Sequence, residues 1–343
     1  MSKMVKTVRM SDIAQELGVS TVSVSKALSG QKGVSEELRD RIVKMAEEKG
    51  YHSPSASHRS TPSYNIGIVI SELYQDYYDS FYWMMYKEVA SEAMQKECFT
   101  MLEILTREDE KKVNPLRLIT ENKVDGLIVI GKLSLQYIHY LKNEIEIPVM
   151  FLDFYDSDVS SDAVISDGFY GTYQMTNYLF AHGHRKIAYV GTIGATDSIT
   201  DRYMGYIKSL LEHGQSLKDV IQINDRDEDN MLYMEDGTPI LGLPAEIPEA
   251  FVCNNDTTAV NIIKLLKARN IRVPEDVSVV GFDNYTMPNS SPIGLTTYEV
   301  DIPGMAQRTV LTLIRKLSGM SYHKGIQIVE GQVIERESVA YRR

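Results

Sequence analysis

From Tyr64 onward the sequence alternates between apolar runs of strand length and stretches of helical periodicity, and no other feature restricts the fold as much. Nine runs read as strands: "NIGIVI" (65–70), "FTMLEIL" (99–105), "DGLIVI" (125–130), "PVMFLD" (148–153), "AVIS" (163–166), "KIAYVG" (186–191), "VIQI" (220–223), "AFVCN" (250–254) and "VSVVGF" (277–282). Helical stretches fall between most of them, at 81–97, 134–143, 168–182, 201–213, 255–269 and 301–318. A strand that is apolar along its whole length is buried on both faces, and intervening helices supply the cover. The rhythm therefore predicts parallel sheets in an α/β architecture. About 280 residues are too many for one such unit, so two subdomains with a cleft between them are expected.

The first fifty residues follow a different pattern, that of three short helices. Ile13, Ala14 and Leu17 form one stripe and Gly18 ends it. Ser20 is a candidate N-cap for a second helix through Val22, Val24, Ala27 and Leu28, closed by Gly30. A third starts after Ser35, carries Glu36 and Glu37 in its first turn, and is expected to bury Leu38, Ile42, Val43 and Met45 or Ala46. The stretch "HSPSASHRSTPS" (52–63) has the composition of a linker. A helix, a glycine turn and a second helix opening in small hydroxyl residues form a helix-turn-helix pattern, which suits the DNA major groove. On that reading Ser20, Ser23 and Ser25 meet phosphates or cap the helix, and Thr21, Val22 and Lys26 face base edges. A three-helix packing module without a DNA role is the alternative at this point.

Charge is distributed to match. The net charge is −11, yet residues 1–60 hold ten basic against seven acidic side chains. A basic head on an acidic body is expected where the head touches phosphate. No run of eighteen apolar residues occurs, and the first twenty residues lack an apolar signal core, so a cytoplasmic protein with no membrane partner is expected. Cys98 and Cys253 lie beside apolar residues and read as reduced core thiols. No Walker loop, no Gly-x-Ser-x-Gly and no His-Cys cluster at metal spacing is present, so no catalytic residue, cofactor or metal is assigned. His182 and His184 in "AHGHRK" read as helix-end residues, and "GTIGATDS" (191–198) lacks the lysine of a phosphate loop.

The segment "DIAQELGVSTVSVSKALSG…VSEELRDRIVKMAEEKGY" followed by "SPSASHR" resembles the DNA-binding head and hinge of the lactose-repressor (LacI) family of bacterial transcription regulators. Similarity to that family's ligand-binding body continues through "VDGLIVIG", "SDGFYGTYQMTNYLFAHGHRKIAYVG", "DRYMGY", "AFVCNNDTTAV", "RVPEDVSVVGFDN" and "VIERESV". The resemblance implies a head at 1–51, a hinge at 52–63 and a periplasmic-binding-protein-like body at 64–343 made of two Rossmann-like subdomains. The first is expected at about 64–162 and 292–322, the second at about 163–291 and 323–343. It also implies a dimeric repressor that reads a near-palindromic operator and answers to a small molecule in the cleft. Ser55, Ala56 and Arg59 of the hinge join the expected DNA-contacting set.

Two departures from the family pattern stand out. The two leading positions of the recognition helix are Thr21 and Val22, which favours contact with a thymine methyl. Thr61 stands where the family inserts a leucine wedge between base pairs, and residues 52–63 contain no aliphatic wedge, so less operator kinking is expected. In the body, Asp153, Arg202, Asn255 and Asp283 match residues that bind effector hydroxyls or ring atoms, chemistry that such donors and acceptors suit. Asp256 reads as a structural N-cap. Phe81, then Tyr82, are the expected stacking aromatics, while Trp83, Met84 and Met85 read as helix core or dimer surface. Residues 224–248 have no family counterpart, and their acidity reads first as a solvated face. With one matched arginine a neutral sugar leads as effector, a purine or other planar metabolite follows, and a solute-binding protein with an idle head is a further alternative. The chain shows no heptad tail, which favours a dimer over a tetramer.

Overall fold

The computed structural model describes residues 10–28, 34–49, 63–74, 80–156, 162–227, 231–234, 237–285 and 293–342. They belong to two compact units, Met1–Ser63 and Tyr64–Arg343. The first holds α1 (Met10–Leu17), α2 (Thr21–Leu28) and α3 (Glu36–Glu48). Ile13 and Ala14, Val24 and Ala27, and Ile42 and Ala46 meet in its core, one stripe from each helix. Gly18 turns the chain at φ +66°, a conformation that a side chain would strain. The Ser20 hydroxyl then accepts from the Ser23 amide at 3.1 Å, capping α2. Val43, expected inside, is 36% exposed. It follows Ile42 by about 100° around α3, and helices this short bury only a narrow stripe.

The second unit runs β1 (Asn65–Ser71), α4 (Phe81–Gln95), β2 (Phe99–Leu105), α5 (Arg107–Lys112), α6 (Arg117–Thr120), β3 (Gly126–Ile130), α7 (Leu135–Asn143), β4 (Val149–Leu152) and β5 (Ala163–Ser166). The chain continues with α8 (Gly168–Ala181), β6 (Ile187–Val190), α9 (Asp197–Glu212), β7 (Ile221–Ile223), β8 (Ala250–Cys253), α10 (Asp256–Ala268), β9 (Ser278–Asp283) and β10 (Thr296–Glu299). It closes with α11 (Ile302–Leu317), β11 (Ile326–Val329) and β12 (Gln332–Ile334).

Two six-stranded sheets result, in the orders β11-β5-β4-β3-β1-β2 and β12-β10-β9-β8-β6-β7. Every pairing is parallel except β12 on β10. Position by position the two orders are the same, so the body is an internal repeat of topology in which β4 and β9 are equivalents. All nine expected strands are present. β10, β11 and β12 were not expected, nor were α5 and α6, and α9 starts at Asp197 rather than 201.

The subdomain boundaries read from the sequence require correction. β5 (163–166) and β11 (326–329), expected in the second subdomain, pair in the first sheet. β10 (296–299), expected in the first, pairs with β9 in the second. These are short strands whose alternation does not reveal a partner, whether that partner is 16 residues away, as for β10 and β9, or 163, as for β11 and β5. The chain thus crosses between the sheets three times, after β5, β10 and β11. One buried cluster links them, from Ile66 and Met85 through Met305 and Val310 to Tyr189 and Phe282.

Gly205 lets α8 and α9 approach at backbone distance: a Cβ there would lie 2.0 Å from the Phe169 carbonyl oxygen. Gly205→Ala is therefore expected to destabilise the body by about 1–3 kcal/mol, read as a lower urea midpoint with an unchanged slope.

Candidate functional site

The loops that leave the carboxyl ends of the central strands converge from both sheets. Asp153 directly follows β4 and Asp283 ends β9, equivalent positions in the repeat. Both adopt left-handed backbone, at φ +65° and +101°. Non-glycine residues are uncommon there, although aspartate tolerates it, and a strained residue of this kind at a cleft points to function. Asp153 is buried and accepts from the hydroxyls of Tyr82 and Ser166. Burial pushes its carboxyl up to about 6, against the pull of Arg202. Burial likewise pushes Asp283 up to about 7, with Arg202 lowering it and Asp153 raising it.

Arg202, on the second turn of α9, is 5% exposed. Its Nη2 donates to Asp283 Oδ1 at 3.1 Å, its Nη1 donates to the Asn254 carbonyl, and its guanidinium stacks on Phe282 at 3.8 Å from the ring centre. The Nε atom is buried with no acceptor among the described residues.

Asn255, not Asp256, caps α10: its side chain accepts from the Thr258 amide at 2.8 Å. Asp256 is buried instead, accepting from Thr297 Oγ1 at 2.6 Å and the Tyr285 amide at 2.7 Å. Burial raises its carboxyl well above the usual range. It is structural, as expected, but as a tie between the β9 and β10 ends rather than as a cap.

The aromatic wall differs from the expected one. Tyr74, which no sequence pattern singled out, packs against Tyr82 with ring centres 4.4 Å apart. A Cβ at Gly131 would lie 2.8 Å from Tyr74 and 3.2 Å from Tyr82, so both rings rest on that glycine. Tyr74 Oη donates to the Lys132 carbonyl at 2.8 Å. Phe81 meets Tyr82 edge-on at 5.5 Å, and Met85 lies in the core.

Residues 224–248 are not simply a solvated face. Asp225 is 2% exposed and Leu241 is buried in the second subdomain's core. Asp225 accepts from the Thr192 amide and hydroxyl at 2.9 and 3.0 Å, from Asn254 Nδ2 at 2.7 Å and from Thr258 Oγ1 at 3.0 Å, and pairs with Arg226 at 3.1 Å. Burial raises its carboxyl, but Arg226 and these donors outweigh burial and hold it below the usual range. Arg226 acts on the Tyr74 hydroxyl from across the cleft. Arg202, Asn254, Asp225 and Arg226 are thus linked contact by contact on the second sheet, and Tyr74, Tyr82 and Asp153 on the first. Asp225 lies two residues past β7, and a carboxylate just beyond a strand end was the signal available in the sequence.

His184 is buried between the Leu179 carbonyl and Ser278 Oγ, at 3.0 and 2.9 Å, and His182 caps α8 through the Tyr178 carbonyl. Both cysteines are buried free thiols. Among the described residues no group of three or more His, Cys, Asp or Glu is placed to hold a metal, and no helix is long and apolar enough to cross a membrane.

In the head, α2 presents Ser20, Thr21, Val22 and Ser25 exposed, with Ser23 and Lys26 half-buried. Val22 is 61% exposed although Val24 and Ala27 beside it are buried. An exposed branched apolar side chain beside small hydroxyls is the surface that a major-groove helix offers. Ser55, Ala56, Arg59 and Thr61 lie outside the described residues.

A helix-turn-helix head on a two-sheet, periplasmic-binding-protein-like body defines a ligand-responsive transcription regulator. Residues 9–54 match the family of bacterial regulatory proteins described as lacI family, and residues 176–339 match the periplasmic binding protein-like domain. The chain is 30% identical over 343 residues to the HTH-type transcriptional regulator RegA of Clostridium saccharobutylicum, covering 95% of this chain and 98% of RegA. It is 26% identical to the HTH-type transcriptional repressor PurR of Pasteurella multocida, over 96% and 98% of the two chains. In structure it is similar to the lac repressor dimer bound to operator and the anti-inducer ONPF, with TM-score 0.67, 22% identity and coverage of 98% and 100%. The chain belongs to the LacI family. It is a DNA-binding transcriptional regulator, not an enzyme.

Proposed function

We propose that this regulator is a cytoplasmic, dimeric repressor whose operator affinity is set by a neutral sugar held between the two sheets. Each head reads one half of a near-palindromic site, because the symmetry of a dimer imposes that of its operator. Thr21, Val22 and Lys26 face the bases, Ser20, Ser23 and Ser25 face phosphates, and Ser55, Ala56 and Arg59 join from the hinge. The effector meets Asp153, Arg202, Asn255 and Asp283, with Tyr82 and Phe81, and with Tyr74 added to them.

One observation carries the choice of a neutral sugar. Among the described residues three cations around the cleft each have their own carboxylate: Arg202 has Asp283, Arg226 has Asp225 and Lys132 has Asp197, while the exposed Arg107 at the rim donates to Met231 Sδ. None of these positive charges is left over for a phosphate, whereas hydroxyl groups suit paired donors and acceptors. Thermal-shift measurements with neutral sugars, sugar phosphates and nucleobases test this. Stabilisation by a neutral sugar that disappears in Arg202→Met is the expected result, and a response confined to phosphates or bases overturns it.

For the head, selection from random duplexes should yield a near-palindrome. Val22→Ser is expected to weaken binding to it by about 1–3 kcal/mol, leaving the salt-dependent affinity for random duplex unchanged. Competition anisotropy measures both, and equal losses on specific and random DNA would remove Val22 from base reading.

A further inference from the structure

Among the described residues polar contacts cross the cleft, and two of them end on the first turns of α9. Lys132 Nζ, after β3, lies 3.1 Å from Asp197 Oδ2. Tyr155 Oη, after β4, donates to Asp201 at 3.3 Å. A third joins Arg107 Nη2 of α5 to Met231 Sδ at 3.2 Å. Asp201 directly precedes Arg202, whose guanidinium is fixed by Asp283, Asn254 and Phe282. The first two turns of α9 therefore carry both the ties to the first sheet and the arginine that the effector meets.

We infer that Asp197 and Asp201 are positioning residues: through Lys132 and Tyr155 they hold the two sheets closed over the cleft before any effector arrives. The consequence for effector binding rests on the cleft assignment above, but the closure does not. Two observations favour a latch over incidental surface pairing. Both partners in each contact come from different sheets, so neither contact stabilises its own subdomain. In the Tyr155 contact, moreover, burial and the neighbouring Asp201 and Asp197 push the phenol up to about 12, so it remains a donor throughout the physiological range. The Lys132 pair is partly exposed, with side chains 28% and 31% accessible. Its contribution is small and screened by salt, as a reversible latch requires.

The test is a distance measurement with neither DNA nor effector present. Spin labels at Lys123→Cys and Lys267→Cys, exposed positions on the first and second subdomains, report closure by pulsed dipolar spectroscopy, with labelled protein diluted into unlabelled protein to isolate distances within one chain. Cys98 and Cys253 are buried and stay unlabelled. The labelled parent should show one dominant distance at low salt, with a longer one growing in at 1 M NaCl. Lys132→Asp or Tyr155→Phe should raise the longer-distance population roughly three- to fivefold, and Lys132→Asp combined with Asp197→Lys should restore the labelled parent's distribution. Lys132→Met should act in the same direction with smaller amplitude, so a folding defect in Lys132→Asp does not leave the inference open. Distributions unchanged in Lys132→Met and Tyr155→Phe overturn it, as does a charge swap that stays open. Operator selection and the thermal-shift panel are separate readouts, so failure here is distinguishable from failure of the cleft or operator assignments.

Discussion

Arg202→Met will lower the unfolding free energy of the body by about 3–5 kcal/mol at pH 8 and by about 1 kcal/mol less than that at pH 6. The substitution keeps the aliphatic stem on Phe282 but leaves Asp283 buried with no cation in contact. Breaking a buried pair by removing one partner costs more than the pair ever contributed, because the orphaned charge cannot return to water. Asp283 already titrates at about 7 with Arg202 present. Without that arginine its carboxyl moves higher still, and the group relieves its burial by taking up a proton. At pH 6 most of that relief is already in place, so the difference between wild type and variant shrinks. Urea unfolding at the two pH values measures this, and an equal loss at both would mean that packing on Phe282, not charge, is what Arg202 supplies.

Asp153→Asn should do the opposite, stabilising the effector-free body by about 1–3 kcal/mol at pH 8 while abolishing its response to effector. Asp153 titrates at about 6 and Asp283 at about 7 in the folded body, both above the unfolded reference near 3.9. Between about pH 4 and pH 7 the folded state thus binds more protons than the unfolded chain. Stability from these groups is complete below about pH 4 and falls as pH rises through that window. Asparagine in place of Asp153 removes one of the two contributions. It also lets Asp283 titrate lower, since the charge on Asp153 raises it. The variant's melting temperature should therefore depend less on pH, converging with wild type near pH 4. A variant less stable than wild type at pH 8 would show that the carboxylate's bonds to Tyr82 and Ser166 outweigh its burial. A buried acid retained at a cost in stability is the usual mark of a binding site.

Part of the candidate site was legible in the sequence. Asp153, Arg202, Asn255 and Asp283 were picked out because the motifs around them resemble those of the family, and such motifs are local. Ser20 as a cap, Gly18 as a turn and Val22 as an apolar residue among hydroxyls are local in the same sense. Tyr74, Arg226 and Lys132 were missed because their placement depends on which loop lies across the gap, and Asp225 because its donors Thr192, Asn254 and Thr258 come from separate segments of its own subdomain. The acidity of 224–248 misled for a related reason. Composition describes a segment's average, and one carboxylate that accepts four or more donors can be buried however polar its neighbours are.

The amino-acid sequence by itself determined the classes of element and most of their positions, the three-helix head, the parallel α/β body and the expectation of a cleft, because periodicity and capping act over a few residues. Only the tertiary structure decided that β5 and β11 join one sheet and β10 the other, that the two halves repeat one topology, and that Asp153 and Asp283 occupy matching left-handed corners on either side of the cleft. Those facts depend on hydrogen-bond partners and charges from about 12 to more than 160 residues apart, and no local pattern of side chains encodes the identity of a partner outside its own segment.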